Sequence, residues 1–172
     1  TVRECATINR GTKAYGKTVV GKHCLIMAYA HVAHDCILGD HVILVNSVAL
    51  AGHVEIGEYA ILGGLSAVHQ FVHIGAHAMI GGGALVRKDV PPFIKVAKEP
   101  LSFEGVNAIG LERRGFTPEQ IERIHRAYRL LYQSGLNTTQ AVDRIAEETG
   151  GPEIEAILSF VQAAERGIVK GR

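Results

Sequence analysis

The sequence lacks three features that would assign it to common classes of protein. Its formal net charge is only +1, whereas a nucleic-acid-binding domain is normally strongly basic. It has no run of about 20 apolar residues that could span a bilayer. Its three cysteines (Cys5, Cys24 and Cys36) have no C-x-x-C spacing, which argues against a disulfide framework and a structural zinc site. We therefore expect a cytoplasmic protein that binds neither nucleic acid nor membrane.

The sequence also lacks an initial methionine, because its first residue is Thr1. We expect from this that it is a fragment of a longer protein. What it does contain is apolar material, since 47% of its 172 residues are hydrophobic. A chain of this size can build one sizeable domain, or one domain with a small appendage.

A repeat of six residues runs through the first half of the chain. When the sequence is divided into sixes from Val20, the first position of twelve consecutive units is aliphatic. These residues are Val20, Ile26, Val32, Leu38, Leu44, Leu50, Ile56, Leu62, Val68, Ile74, Ile80 and Val86. Fifth positions are small or β-branched and lie two residues before the next first position, so both sets point to one side of a short strand. Each unit is predicted to be a brief strand and a turn, with glycines such as Gly21 and Gly57 supplying a permissive turn backbone.

The repeat resembles that of the hexapeptide-repeat acyltransferases, which form a left-handed parallel β-helix with three units per coil. The alternative is an ordinary all-β domain, which would not keep register over so many units without an insertion. The resemblance implies that residues 18 apart stack at about 4.8 Å. Val2, Ile8 and Ala14 extend the frame backwards, and the polar residues 11–17 are predicted to protrude as a loop. We predict a left-handed parallel β-helix over residues 1–97.

A different pattern follows Pro91-Pro92, where the repeat of six stops. Thr117, Pro118 and Gln120 provide an N-cap, a proline in the first turn and a capping-box glutamine. Three helices are predicted, over residues 118–134, 139–149 and 152–166. We therefore predict a small C-terminal helical domain over residues 98–172.

Stacking in steps of 18 sorts the histidines into columns. One column contains His23, His41 and His77, which we expect to lie on a solvated corner. A second column contains His34, Gly52 and Gln70, and the column beside it contains Asp35, His53 and Phe71. Asp35 can therefore orient an imidazole or favour its charged form. Histidines in such a solenoid also resemble the zinc-binding carbonic anhydrases of similar fold, so a zinc site remains an alternative.

A more specific resemblance covers nearly the whole chain. The segments "INRGT", "AHVAHDC", "LAGHVEIG", "GGLSAVHQF", "IGAHAMIGGG", "DVPPF" and "GVNAIGLERRGF" resemble, in order and spacing, the bacterial UDP-N-acetylglucosamine O-acyltransferases. That family carries out the first step of lipid A biosynthesis. The resemblance implies coils before Thr1, an acyl carrier protein thioester as donor, UDP-N-acetylglucosamine as acceptor, a homotrimer, and no metal or other cofactor.

The resemblance also implies roles for individual residues. His34 would be the general base, Asp35 would orient it, and the backbone N–H of Gly52 would hold the thioester oxyanion. The sugar-nucleotide pocket would contain His31, His53, His69 and Gln70, while Asn107, Arg113 and Arg114 would meet phosphates. The sequence departs from the family at Ile109, where an acid is common. Gly64 and Gly82 would line an acyl groove, left open for a long 3-hydroxyacyl chain by the absence of a side chain.

Three arginines on the first predicted long helix, Arg123, Arg126 and Arg129, recur at helical spacing. A solvated helix face is the simplest interpretation, and docking of the acidic carrier protein is the alternative. Two other functions remain open. One is a related N-acyltransferase or a coenzyme A-dependent hexapeptide acyltransferase, and the other is a non-catalytic or metal-binding trimeric solenoid.

Overall fold

The structure is a computed structural model that describes residues 1–148 and 150–171. Short strands stack into three sheets, which form the faces of a triangular solenoid. Face A contains β1 (Thr7–Ile8), β4 (His31–Val32), β7 (Ala49–Leu50), β10 (Ala67–Val68) and β13 (Leu85–Val86). Face B contains β2 (Val19–Val20), β5 (Ile37–Leu38), β8 (Glu55–Ile56) and β11 (His73–Ile74). Face C contains β3 (Leu25–Ile26), β6 (Ile43–Leu44), β9 (Ile61–Leu62), β12 (Met79–Ile80), β14 (Ile94–Ala97) and β15 (Ser102–Val106).

The interior of the solenoid is made by the first and fifth positions of the repeat. Val32, Leu50 and Val68 are buried on successive coils of face A, and Ala49 pairs in parallel register with His31 and Ala67. All pairs between the two-residue strands are parallel. The predicted fold class, a parallel β-helix followed by a helical region, is therefore confirmed.

The turns between faces use a different residue from the one predicted. The left-handed conformation falls on the fourth position of each unit, for example φ 59° at Asp35 and 61° at His53, and not on the second-position glycines. Those glycines are needed because successive coils approach closely: a Cβ on Gly39 would lie 2.7 Å from the backbone nitrogen of Glu58. Their role is thus close packing rather than a permissive φ.

One loop breaks the 18-residue step. Thr7 of β1 pairs with His31, 24 residues later, because the additional residues leave the coil near positions 11–17. Val2 and Ile8 still extend the β-helix, whereas Ala14 is exposed in the loop. The loop protrudes as predicted, but its residues, including Ala14, are not part of a coil.

Within the described residues, four helices follow the β-helix: α1 (Ala108–Glu112), α2 (Pro118–Gln133), α3 (Thr138–Glu148) and α4 (Pro152–Ala163). The capping box of Thr117 and Gln120 is present at the start of α2. The predicted second helix included Thr149, which lies outside the described residues. The fourth helix ends before the predicted Arg166, because the chain then extends and Ile168 forms a β-bridge with Asp89.

The short α1 was not predicted. β15 runs antiparallel to β14 and carries the sheet of face C to Val106, and α1 begins two residues later. The division at residue 97 stays a prediction. None of the helices in the described part of the chain is both long and apolar enough to cross a membrane.

Candidate active site

The corner between faces A and B brings together the second column of predicted site residues, and we call it the base corner (residues 33–36, 51–54 and 69–72). Nδ1 of His34 lies 2.9 Å from Oδ2 of Asp35, which is fully buried. An ionised carboxylate only accepts hydrogen bonds, so the ring proton of a neutral His34 lies on Nδ1. Nε2 of His34, on a ring that is 42% exposed, is then free to accept a proton from solvent or a ligand.

The carboxylate of Asp35 is held by the protruding loop. The backbone N–H and the hydroxyl of Thr12 donate to its two oxygens at 2.9 Å and 2.6 Å. Burial opposes ionisation of Asp35, but the hydrogen bonds from Thr12 and His34 outweigh it and lower its pKa to about 2. Asp35 is therefore charged at neutral pH. The repeat of six carries no signal for Thr12, because the loop lies outside the repeat.

We expect Thr12→Val to raise the pKa of Asp35 above its present value of about 2, because one of its donors is lost. The folded pKa of Asp35 is depressed, so its ionised form stabilises the fold above pH 3.8, and this contribution disappears as the pH falls toward 2. Carboxyl carbon NMR titration measures the change. Thr18→Val is the matched control, since the hydroxyl of Thr18 accepts from the backbone N–H of Asp35 and does not donate to its carboxylate. An equal pKa in wild type and Thr12→Val would contradict the role of the loop.

Gly52 lies directly over the ring of His34, as the 18-residue step predicts. A Cβ at Gly52 would lie 2.5 Å from Cε1 and 2.7 Å from Nε2 of His34. Any side chain at position 52 would therefore displace the imidazole. No hydrogen bond from the backbone N–H of Gly52 is present among the described residues, so this group is available to a ligand beside Nε2.

His53 completes the base corner. Its Nε2 lies 3.9 Å from Oδ2 of Asp35, and its ring stacks on Phe71 and meets the edge of Tyr15 from the loop. His34, Asp35 and His53 each offer an atom within 4.8 Å of the others, a spacing that a metal ion could use. However, both oxygens of Asp35 already accept hydrogen bonds from Thr12, so an ion would have to displace the loop.

The other histidines predicted near the sugar lie on face A or beside it. Nδ1 of His31 lies 2.7 Å from the hydroxyl of Thr7. A step of 18 back from His31 reaches Lys13, but the loop shifts the register, so Thr7 occupies that place in the column. His69 and Gln70 are exposed at the base corner, one coil beyond Gly52, and a guanidinium nitrogen of Arg166 lies 3.3 Å from Nδ1 of His69.

The predicted phosphate-binding residues lie at a different corner, between faces B and C, which we call the aromatic corner. It holds a ladder of stacked rings, His23, His41, Tyr59 and His77, with neighbouring centroids 4.4 to 5.0 Å apart. Arg114 lies over the ring of Tyr59 and donates to its carbonyl oxygen. Within one chain, face B therefore separates Arg114 from the base corner.

The expectation of a solvated histidine column is wrong at its last member. Asn107 is buried and donates to the carbonyl oxygen of His77, and Phe93 and Phe116 enclose the His77 ring. Burial, and secondarily the positive charge of Arg114, lower the pKa of His77 from 6.5 to about 4. His77 is therefore a neutral structural residue at pH 7. Arg113, in contrast, is exposed.

We expect His77→Phe to make the fold less sensitive to acid. The folded pKa of His77 lies below its unfolded value, so its contribution to stability is present above pH 6.5 and is lost as the pH falls toward 4. On going from pH 7 to pH 5, the unfolding free energy of wild type should fall by roughly 1–2 kcal/mol more than that of the variant. Urea denaturation at both pH values measures this difference. Parallel losses in the two proteins would show that His77 does not titrate as inferred.

The two glycines predicted for the acyl groove lie on successive coils at the third corner, between faces C and A. Gly82 is exposed, and a Cβ on it would lie 3.2 Å from the carbonyl oxygen of Gly64. Three residues further, Leu85 lines a cleft of about 530 Å³ with apolar walls from Leu101 and Val169.

The arginine stripe on α2 is partly occupied within the chain, since Arg123 pairs with Glu153 and Arg129 with Glu122.

Comparisons with known proteins show which family the chain is similar to. A family profile described as UDP N-acetylglucosamine O-acyltransferase, domain 2, matches residues 89–169, and one described as bacterial transferase hexapeptide (six repeats) matches residues 17–52. An acyl-(acyl-carrier-protein)–UDP-N-acetylglucosamine O-acyltransferase of Chlorobaculum parvum is 62% identical, and the match covers 96% of this chain and 64% of the relative. The relative of that name from Trichlorobacter lovleyi is 51% identical over 99% of this chain and 67% of its own length.

Solved structures give the same result. The UDP-N-acetylglucosamine acyltransferase of Bacteroides fragilis superposes with a TM-score of 0.95 at 47% identity, covering 96% of this chain and 65% of that chain. The structure of the Acinetobacter baumannii homologue gives a TM-score of 0.93 at 39% identity, covering 99% and 68%. The chain thus spans about two thirds of the length of the proteins it matches. With identities this high over nearly all of its residues, the chain belongs to the UDP-N-acetylglucosamine O-acyltransferase family.

Proposed function

We propose that the protein transfers a long 3-hydroxyacyl chain from acyl carrier protein to the 3-hydroxyl of UDP-N-acetylglucosamine, the first step of lipid A biosynthesis. The observation that carries the proposal is the base corner, where a partly exposed imidazole is oriented by a buried carboxylate beneath a free backbone N–H. The named activity of the relatives supports it, because they are acyltransferases acting on this sugar nucleotide. The cytoplasmic location stays a prediction.

The proposed reaction uses His34 as base and then as acid. Nε2 of His34 takes the proton of the sugar 3-hydroxyl as its oxygen bonds to the thioester carbonyl carbon. The negative charge that develops on the carbonyl oxygen accepts a hydrogen bond from the N–H of Gly52. When the carbon–sulfur bond breaks, protonated His34 returns the proton to the leaving thiolate. Asp35 stabilises the positive imidazolium between these steps. The proposed reaction uses the two substrates and these residues, with no cofactor.

We further propose that the site is completed in a homotrimer. Asn107 and Arg114, which the family resemblance assigns to phosphate groups, lie at the aromatic corner, away from His34 in the same chain. A neighbouring copy could bring its aromatic corner to the base corner. Leu65 and Phe71 are exposed on the solenoid surface, as an interface between copies would require. Ile43, another outward residue of the coils, is half-buried and offers less apolar surface. Sedimentation velocity tests this assembly, and a monomer alone would defeat it.

For the acyl chain we propose a course along face A. The outward side chains that follow His31 on this face are Ala49 and Ala67, whose small size leaves a shallow trough toward Leu85 and the 530 Å³ cleft. The three coil steps from His31 to Leu85 span roughly 14 Å, since neighbouring strands are about 4.8 Å apart. This distance, with the volume of the cleft, suits a long acyl chain rather than an acetyl group.

Gly82→Met is expected to shift donor preference toward shorter acyl chains while leaving sugar-nucleotide binding nearly unchanged. The added side chain would fill space beside the groove and exclude the last methylenes, each of which contributes about 0.8 kcal/mol when buried. The measurement is kcat/KM for a series of 3-hydroxyacyl carrier proteins of increasing length. An equal loss for long and short donors would show that Gly82 is structural.

The decisive test of the proposed reaction is mass spectrometry of the products formed from UDP-N-acetylglucosamine and long-chain 3-hydroxyacyl carrier protein. The expected product is a sugar nucleotide that carries one ester-linked 3-hydroxyacyl group. Parallel reactions contain the coenzyme A thioester or a 3-amino sugar nucleotide in place of the proposed substrates. Transfer only from coenzyme A, or only to the amine, would replace the proposal by one of the related acyltransferase activities.

A further inference from the structure

Face B carries a second column of ionisable groups, separate from the base corner. Its outward positions are apolar at Val19 and Ile37, and the next two coils place Glu55 and His73 in register above them. A β-bridge between Ile74 and Val90 then sets Asp89 beside His73, whose backbone N–H donates to Oδ1 of Asp89 at 2.8 Å. Three adjacent coils thus present an acid, an imidazole and an acid.

The two ring nitrogens of His73 face different carboxylates. Nδ1 lies 3.9 Å from Oδ2 of Asp89, and Nε2 lies 3.9 Å from Oε2 of Glu55. Glu55 and His73 are each about half-exposed, whereas Asp89 is 1% exposed. Oδ2 of Asp89 is buried and has no hydrogen-bond partner within the described residues. A buried carboxylate oxygen without a partner is costly, so its position beside the histidine requires an explanation.

The three side chains line a groove between face B and α4. The groove has a volume of about 450 Å³, and its opposite wall is formed by Phe160 and Ala163 of α4 and by Ala164, which follows the helix. Of the residues that the structure describes, no lysine or arginine lines the groove. The charge in the groove is therefore that of two carboxylates beside one imidazole, which attracts a cation rather than an anion.

We propose that Glu55 and His73 bind a divalent transition-metal ion such as Zn²⁺, with Asp89 as the carboxylate that orients His73. A histidine that binds a metal through one ring nitrogen usually donates its other N–H to a carboxylate, which is the role the Asp89 oxygen would fill. Zn²⁺ takes histidine nitrogen and carboxylate oxygen at about 2.0–2.2 Å, so two tetrahedral ligands lie roughly 3.4 Å apart. The observed 3.9 Å between Glu55 and His73 needs only a small side-chain movement.

The proposed site has two protein ligands, so its remaining coordination positions face the groove and are open to water or a small ligand. It is independent of acyl transfer, because it lies on face B and uses none of the residues of the base corner. A simple surface ion-pair network is the competing interpretation. It would leave Glu55 and His73 in place without any preference for a metal ion.

The experiment is a calorimetric titration of metal-free protein with zinc chloride in a non-coordinating buffer. Wild type should bind one more ion per chain than Glu55→Gln or His73→Gln. Asp89→Asn, which keeps the oxygen that accepts from His73, should weaken that binding by roughly 10–100-fold, as loss of an orienting carboxylate does. Circular dichroism checks that each variant is folded. In histidine-labelled protein, NMR should show zinc-dependent shifts at Nε2 of His73.

Two further variants test whether the zinc binds instead at another histidine. His23→Gln removes an exposed histidine stacked on His41, and His34→Ala removes a member of the base-corner cluster. Both should retain the binding event that His73→Gln loses. If His73→Gln and Glu55→Gln bind zinc as wild type does, or if only His34→Ala loses the event, the proposal is overturned. Since no acyl substrate is present, the result does not depend on the proposed acyltransferase reaction.

Discussion

Replacing His34 by alanine is expected to lower turnover roughly 10²–10⁴-fold, the usual contribution of a general base. The ring of His34 is partly exposed at a corner and adds little to the buried core, so the variant should fold as wild type does. Asp35→Asn should lose less activity, because an amide can still hydrogen-bond the ring but cannot stabilise its positive form. The measurement is kcat with both substrates saturating.

The matched control is His73→Ala, which removes a half-exposed histidine of face B, outside both corners, and should retain wild-type turnover. Thermal unfolding followed by circular dichroism separates lost chemistry from lost structure. His31→Ala should mainly raise KM, since its ring lies against the hydroxyl of Thr7 and pairs with no carboxylate of the described residues. Near-wild-type kcat for a folded His34→Ala enzyme would remove His34 from the proposed mechanism.

Gly52→Ala is expected to be almost as damaging, on the order of 10²-fold in kcat, although it adds a single methyl group. The new Cβ would lie 2.5 Å from Cε1 of His34, and the ring must rotate or shift away from its hydrogen bond with Asp35. A displacement of about 1 Å in a reacting group can cost this much. The loss should appear mainly in kcat, because the groups assigned to substrate binding do not move.

Gly150→Ala provides the control for Gly52→Ala. A Cβ at Gly150 would meet no atom of the described residues beyond its chain neighbours within 4 Å, so this substitution should change neither stability nor turnover. If Gly52→Ala keeps wild-type kcat, then neither the close approach to His34 nor the position of the adjacent N–H matters to the reaction. If it lowers the melting temperature sharply instead, the glycine serves coil packing alone.

The periodic part of the molecule was predictable because its physical cause is local. An aliphatic residue every six positions predicts which side chains are buried, and the step of 18 correctly stacks Gly52 on His34 and Phe71 on His53. The capping box at Thr117 likewise depends only on near neighbours in the sequence. For these elements, a one-dimensional pattern contains the three-dimensional contact.

The remaining contacts could not be read from the period because they come from segments outside it. Thr12 and Tyr15 reach the base corner from a loop that leaves the coil, and no spacing rule predicts where a loop returns. The repeat predicts a surface position for His77, but Asn107 and Phe116, which lie beyond the repeat, cover it in the structure. The conformational role assigned to the second-position glycines was wrong for a related reason: their constraint is the backbone of the next coil, not their own φ.

The loop between β1 and β2 limits where such a protein can change in sequence length. It adds residues at a corner, yet Thr7 still pairs with His31, and the next three coils of face A keep the 18-residue step. A single residue inserted within a strand would instead reverse which side chains face inward. Corner insertions are therefore the changes that natural variation can accept most readily in this architecture. This loop supplies the hydroxyl of Thr12 to the carboxylate of Asp35. An insertion at a corner can therefore add a functional group to a site while the packing of the coils stays the same.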